Sequence, residues 1–268
     1  MLQSLSRIAR PLALFAALML VGACRRNPRQ ADKKELLVYT GITMAKPMAE
    51  ITAAIEQKHN VSIVMTQGGS EDLYISLRSA GKGDLYMPGS TSYRKKHFAE
   101  GLLGEFVSVG YNQAVFMVPK GNPKGITANI DQMLRDDVAI VLCNPESGSI
   151  GRETAGILEA AGVFEEAFRR CEYLTTDSRN LNKALRNGDA DLIVNWRATA
   201  FFPENKESTE IIDLPSGMAR PKELQLTLLK FSQHPDIARK VMAYAASPAG
   251  QAIFRKYGFV DAQGKSEK

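Results

Sequence analysis

From residue 35 onward, short apolar runs alternate with stretches whose apolar residues recur every three or four positions. The runs at 36–39, 62–65, 84–87, 113–118, 138–142, 173–174, 192–194, 211–212 and 225–230 predict strands. Between them the spacing predicts helices over 44–58, 71–79, 92–100, 130–134, 151–161 and 181–186, and two closing helices near 235–246 and 249–256. Met48, Ile51, Ala54 and Ile55 set the period of the first helix, while Gly81, Gly101 and Gly162 stand where helices should stop. Strand and helix in alternation predict an α/β fold with parallel strands.

The turns between these elements carry the candidate chemistry. Strand 36–39 runs into Thr40-Gly41-Ile42-Thr43, and strand 62–65 into Thr66-Gln67-Gly68-Gly69-Ser70. Strand 138–142 leads to Asn144-Pro145-Glu146-Ser147-Gly148-Ser149-Ile150-Gly151, and strand 173–174 to Thr175-Thr176-Asp177-Ser178. Each is a strand end rich in Gly, Ser and Thr with a helix directly after it. Any one of these hydroxyls reads equally well as a plain helix N-cap. In a parallel sheet, however, the carboxyl ends of the strands face one crevice, so the helix starts converge there. Helix starts present unpaired N–H donors and partial positive charge, which suits a small anion.

The first 34 residues do not fit the alternation. Arg7 and Arg10 precede an apolar run over 11–21 that ends in Val21-Gly22-Ala23-Cys24, a basic start and short apolar stretch typical of a secretory signal. Cys24 after two small residues resembles the lipobox of bacterial lipoproteins, in which the thiol takes a diacylglyceryl group before cleavage; the other reading is an ordinary signal with Cys24 incidental. Residues 24–34 are polar and basic, a tether. The formal charge of +5 falls to +3 without Arg7 and Arg10, too small and too interleaved an excess for a nucleic-acid partner. Of the three cysteines, Cys143 and Cys171 fall on predicted strands, and an oxidising compartment permits either a disulfide or two free thiols.

Catalytic patterns are absent. Gly148-Ser149-Ile150-Gly151 places its glycines wrongly for a nucleophile elbow, and Gly68-Gly69-Ser70 lacks the lysine of a phosphate-binding loop. There is no dinucleotide fingerprint, and no histidine stands beside a Ser or Cys turn. His59, His97 and His234 read as surface residues without metal-ligand spacing, and the adjacent pairs Glu71-Asp72 and Asp136-Asp137 as solvated carboxylates. The chain reads as a binder that needs no cofactor and no direct cation ligand.

Several stretches resemble the molybdate-binding proteins of bacterial ABC importers. They are Leu37-Val38-Tyr39-Thr40-Gly41-Ile42-Thr43-Met44, the Gly68-Gly69-Ser70 turn, Gly83-Asp84-Leu85-Tyr86 and Asn144-Pro145-Glu146 with its Ser-Gly-Ser. The ending Ser247-Pro248-Ala249-Gly250-Gln251-Ala252-Ile253-Phe254-Arg255-Lys256-Tyr257-Gly258-Phe259 is similar to the wider type II periplasmic binding-protein group. The resemblance spans 35–260. It implies two α/β lobes with parallel sheets, joined by two crossover strands, with ligand held between them. Lobe 1 would be 35–111 plus 214–268, and lobe 2 would be 112–213.

It also implies a site. The family's first-strand serine falls on Thr43 and its second-turn serine on Ser70, beside Gly69. A backbone donor falls on Ile150, next to Ser149, and another on Ser178. The family's tyrosine ligand falls on Asn195, within Val194-Asn195-Trp196-Arg197. That departure brings an indole and a guanidinium near the cleft, and Arg197 is either a bidentate donor to the anion or a residue of the lobe edge. The implied ligand is a molybdate- or tungstate-like oxyanion, with phosphate, arsenate and sulfur or chlorine oxyanions still open. Iron-binding relatives use a tyrosine pair in this region, which the chain lacks. The implied protein is a monomer on the periplasmic side of the cell envelope, lipid-anchored, and its partner is an importer's permease or, alternatively, a membrane sensor kinase.

Overall fold

The computed structural model describes residues 33–265; the signal segment, Cys24 and the first part of the tether lie outside them, as do residues 266–268. The first half of the chain forms β1 (Glu35–Gly41), α1 (Ala45–His59), β2 (Ser62–Gly68), α2 (Ser70–Ala80), β3 (Leu85–Met87), α3 (Thr91–His97) and β4 (Leu103–Asn112). There follow β5 (Ala114–Pro119), β6 (Leu142–Cys143), α4 (Ser149–Ala160), α5 (Phe164–Arg170), β7 (Leu174–Thr175) and α6 (Ser178–Asn187). The remainder is β8 (Ile193–Trp196), α7 (Pro203–Lys206), β9 (Thr209–Ile212), β10 (Lys222–Leu229), α8 (Pro235–Ala246) and α9 (Pro248–Lys256).

These strands make two lobes of the same design. In the first, β1 pairs in parallel with β2 and β3, and β10 runs antiparallel between β3 and β4, so the order is β2-β1-β3-β10-β4. In the second, β5 pairs antiparallel with β8 and β9, and β6 pairs in parallel with β7. A parallel bridge from Ile140 to Leu192 joins the two sets. Across that bridge the order β7-β6-β8-β5-β9 repeats the first sheet strand for strand. In each lobe the antiparallel strand is the one delivered from the other lobe, which makes the sheets mixed rather than all parallel.

Burial follows the strand period. Leu36 and Val38 of β1 pack with Met48, Leu226 and Phe254 on one face, while Tyr39 joins Leu73, Tyr74 and Tyr86 on the other. Strands covered on both faces read as apolar runs, which is why the sequence shows runs and not alternation there. The second lobe has its own core, with Phe116, Trp196, Ile150 and Leu181 among its members. Where the lobes join, the Gln113 Nε2 donates to the Ala219 carbonyl at 2.8 Å, tying one crossover to the other. The Asn112 Oδ1 accepts from the Gln113 N–H at 3.0 Å.

Several elements depart from the sequence reading: α5 and α7 were not predicted, and β6 is confined to Leu142–Cys143. β4 is a ten-residue strand where none was predicted, because Gly104 and Gly110 interrupt its apolar pattern. Gly110 has φ +143 beside a register shift at Leu224/Gln225, a bulge that only glycine adopts without strain. Cys171 caps the end of α5 instead of lying on a strand, and it and Cys143 are separate free thiols.

The close of the chain depends on one glycine. Gly258 has φ +80, and a Cβ there would collide with the Phe201 ring. Gly258→Ala is expected to cost about 2–5 kcal/mol in urea denaturation, from left-handed strain plus overpacking. Gly188 has φ +80 with open space around it, so Gly188→Ala should cost only about 1–2 kcal/mol.

Candidate functional site

Six strand ends meet at one small cavity. Gly41 ends β1, with Ile42 and Thr43 after it; Gly68 ends β2, with Gly69 and Ser70 after it; Gly89 follows β3. From the other lobe come Gly148, Ser149 and Ile150 after β6, Asp177 and Ser178 after β7, and Trp196 at the end of β8. The cavity leaves the centre of a water-sized sphere about 20 Å³, within an empty volume of about 270 Å³. Sites for drug-sized ligands run to about 300–1,000 Å³, so this one is cut for a small ion.

The donors are backbone and hydroxyl groups. The turns entering α1, α2 and α4 have Gly41, Gly69 and Gly148 at the cap positions of their first helical turns, and none makes a side-chain cap hydrogen bond. Their opening N–H groups are therefore left to the cavity. α6 differs, because the Asp177 carboxylate accepts from Arg179 N–H at 2.8 Å and Asn180 N–H at 2.9 Å. Asp177 is the one ionisable residue of the lining, and its charge is turned to its own helix. Among the described residues, no lysine or arginine lines the cavity.

The hydroxyls are not caps. Ser70 and Ser149 are the first residues of α2 and α4, one position past the cap. The Ser70 Oγ accepts from the Gly89 N–H at 3.0 Å, and the Ser149 Oγ accepts from the Trp196 Nε1–H at 3.0 Å. Among the described residues, the Thr43 Oγ1 meets only the Met44 sulfur, at 2.7 Å. Across the cleft the lobes touch where side chains are missing. A Cβ at Gly89 would collide with Ser149 Oγ, and one at Gly69 would come within 2.8 Å of the Ser147 carbonyl. At the rim the Arg179 guanidinium donates to Gln67 at 2.9 Å, and Arg152 lies 4.4 Å over the Tyr93 ring.

Of the residues picked from the sequence, Thr43, Gly69, Ser70, Ser149, Ile150 and Ser178 line the cavity, while Asn195 and Arg197 do not. Asn195 is wholly buried behind it, where its Nδ2 donates to the Ser178 carbonyl at 3.0 Å and holds the start of α6. Arg197 is a correction: its side chain is 15% exposed and pairs with Asp213. Successive strand residues face opposite ways, and at the end of β8 the indole of Trp196 takes the cleft side. Arg197 then points to the crossover, where Asp213 stands. Gly41, Ile42, Gly68, Gly89, Gly148, Asp177 and Trp196 also line the cavity and were not among the chosen residues, although all but Gly89 stood in the turns and the strand end singled out above.

His97 is a second correction. It is 5% exposed, stacked on Tyr74 with ring centroids 3.6 Å apart, and sits between Glu100 at 2.7 Å and Glu71 at 3.1 Å. Glu71 is no solvated carboxylate either, since it also pairs with Lys96 at 2.9 Å. Cys143 lies under the start of α4, and burial pushes its thiol up to about 12, which keeps it protonated.

The chain matches the family described as bacterial extracellular solute-binding protein over residues 36–260. It belongs to that family. This solute-binding protein is 24% identical over 258 residues to the molybdate-binding protein ModA of Mycobacterium bovis, covering 92% of this chain and 95% of that one. Its fold is similar to the periplasmic molybdate-binding protein of Azotobacter vinelandii, with a TM-score of 0.72 at 16% identity, over 84% of this chain and 98% of that one. It is also similar to the sulfate-binding protein SubI of Mycobacterium tuberculosis H37Rv, with a TM-score of 0.73 at 15% identity over 84% and 86%. At such identities the structural likeness establishes the fold alone.

Burial raises the Glu71 pKa, but hydrogen bonds from Lys96 and His97 outweigh it and bring it below the ordinary 4.5. A lowered folded-state pKa gives stability that is present above the unfolded value and lost as pH falls through the folded one. Glu71→Gln should therefore cost about 1–3 kcal/mol at pH 7. In urea denaturation repeated at falling pH, the gap between parent and variant should close below pH 4.5.

Proposed function

We propose that this protein captures a small tetrahedral oxyanion in the interlobe cavity, with molybdate and tungstate the first candidates, and delivers it to the membrane permease of an ABC importer. One observation carries the reading: three glycine-capped helix starts and four hydroxyl residues converge on an ion-sized cavity that, among the described residues, no cationic side chain lines. Neutral donors suit an anion that stays fully ionised, because they need not follow a changing ligand charge. The names of the relatives, molybdate- and sulfate-binding proteins, agree in ligand class.

In this reading Thr43 and Ser70 donate from lobe 1 (35–111 plus 214–268). Gly69 lends its turn, and Ser149, Ile150 and Ser178 donate from lobe 2 (112–213). The protein binds its ligand without transforming it. Its signal segment is removed on export, and lipid on Cys24 holds it through the tether at the periplasmic face of the membrane.

Ligand that binds only the folded state raises the melting temperature. A thermal-shift panel of molybdate, tungstate, sulfate, phosphate and arsenate should show stabilisation by at least one of them; no shift with any would overturn the reading. For the best anion, calorimetry on Thr43→Val and Ser70→Ala should show about 10- to 150-fold weaker binding, the effect of one lost hydrogen bond to a charged ligand. Normal binding by both variants would place the ligand elsewhere. Metabolic labelling with a fatty-acid analogue should mark the parent and fail with Cys24→Ser; a label retained by that variant would remove the anchor.

A further inference from the structure

Trp196 is the only tryptophan in the chain and is 1% exposed, yet it borders the cavity. Its polar atom, Nε1–H, is a donor and never an acceptor. It donates to the Ser149 Oγ at 3.0 Å. A hydroxyl that accepts from such a group must turn its own proton elsewhere. Gly89 closes in on Ser149 from the opposite lobe, and among the described residues Ser149 has no protein acceptor for that proton. What remains open to it is the cavity.

The other lobe contains the same device. The Gly89 N–H, also donor-only, gives its proton to the Ser70 Oγ at 3.0 Å, and Ser70 likewise has no protein acceptor among the described residues. Thus one hydroxyl from each lobe is held as an acceptor from behind and presents its proton forward.

We propose that Trp196 is a positioning residue for anion recognition: its indole N–H holds the Ser149 hydroxyl as an acceptor, so that the Ser149 proton is aimed at an anionic oxygen in the cavity. The proposal rests on the oxyanion-binding reading above and assigns to that site a residue outside its set of donors. Trp196 does not reach the anion itself. Its effect passes entirely through Ser149.

Because there is one tryptophan, one indole N–H resonance reports the arrangement in a nitrogen-15 spectrum. In ligand-free protein, Ser149→Ala should shift that resonance and speed its hydrogen exchange. In calorimetry with the tightest binder among molybdate, tungstate, sulfate and phosphate, Trp196→Phe, which keeps an aromatic ring but deletes the donor with the pyrrole half of the indole, should weaken binding roughly 3- to 10-fold. In a Ser149→Ala background the same change should alter affinity less than twofold, since the two residues act as one unit. Trp196→Phe within twofold of a parent that binds overturns this proposal alone, as do fully additive losses in the double variant. A parent that binds none of these four anions, nor arsenate, overturns the functional reading and this proposal with it; if arsenate alone binds, the same variants are titrated with arsenate. Should Trp196→Phe fail to fold, Ser149→Ala decides: an unmoved indole resonance with unchanged affinity overturns the proposal.

Discussion

A backbone N–H taken out of water must find an acceptor or cost about 1–3 kcal/mol, and this protein aims three helix starts at one cavity with no side chain to answer them. Glycine makes this possible. Gly41, Gly69 and Gly148 occupy positions where other helices of the chain have Ser90, Asn129 or Ser247 accepting from their own first turns. A serine cap would satisfy those N–H groups internally and cancel the site. Gly69 also brings the lobes together, because it leaves room for the Ser147 carbonyl of the other lobe, while Gly148 leaves room for the Cys143 sulfur within its own. One residue type thus frees the donors and permits the close approach that removes them from bulk water.

The duplicated sheet explains how so many donors reach one point. In each lobe, two strand–helix units place their turns at the same sheet edge, and the lobes face each other with those edges inward. Small contacts then set the turns in place. The Tyr86 hydroxyl donates to the Ser70 carbonyl at 2.8 Å, and Asn195 does the same for Ser178 at 3.0 Å. Each lies on the strand that follows the helix whose start it holds. β3 supports α2, and its counterpart β8 supports α6.

Most of this scaffold was legible because parallel strands buried on both faces leave apolar runs that stand out against helical spacing. The turns were legible for the same local reason, since Gly, Ser and Thr clustered where a strand gave way to a helix. β4 was not, because its glycines serve a bulge and a close approach to the Leu228 carbonyl, which depend on β10 more than a hundred residues away. Trp196 and Arg197 show the limit most plainly. Both stood in the right region, but which of the two faces the cleft depends on the phase in which β8 pairs with β5. A one-residue change of phase exchanges their roles, and short strands carry too few residues to reveal it.

His97 was misread for a related reason, and its placement bears on the site. Glu71 lies in the first turn of α2, whose N–H groups face the cavity. A bare carboxylate there would oppose an anion at the same helix start, since two unit charges 4 Å apart at an effective dielectric constant of 20 interact by about 4 kcal/mol. Lys96 at 2.9 Å and His97 at 3.1 Å stand against that charge, both supplied by α3. Arg197 is matched by Asp213 in the same way, and Asp177 by the N–H groups of its own helix. With those three charges answered locally, helix ends and hydroxyl dipoles outweigh what they contribute to the field inside the cavity. Such a field is strong within a turn of the helix and weak beyond it. It would favour a dehydrated ion held between the lobes, and would offer little to one that remains in solvent.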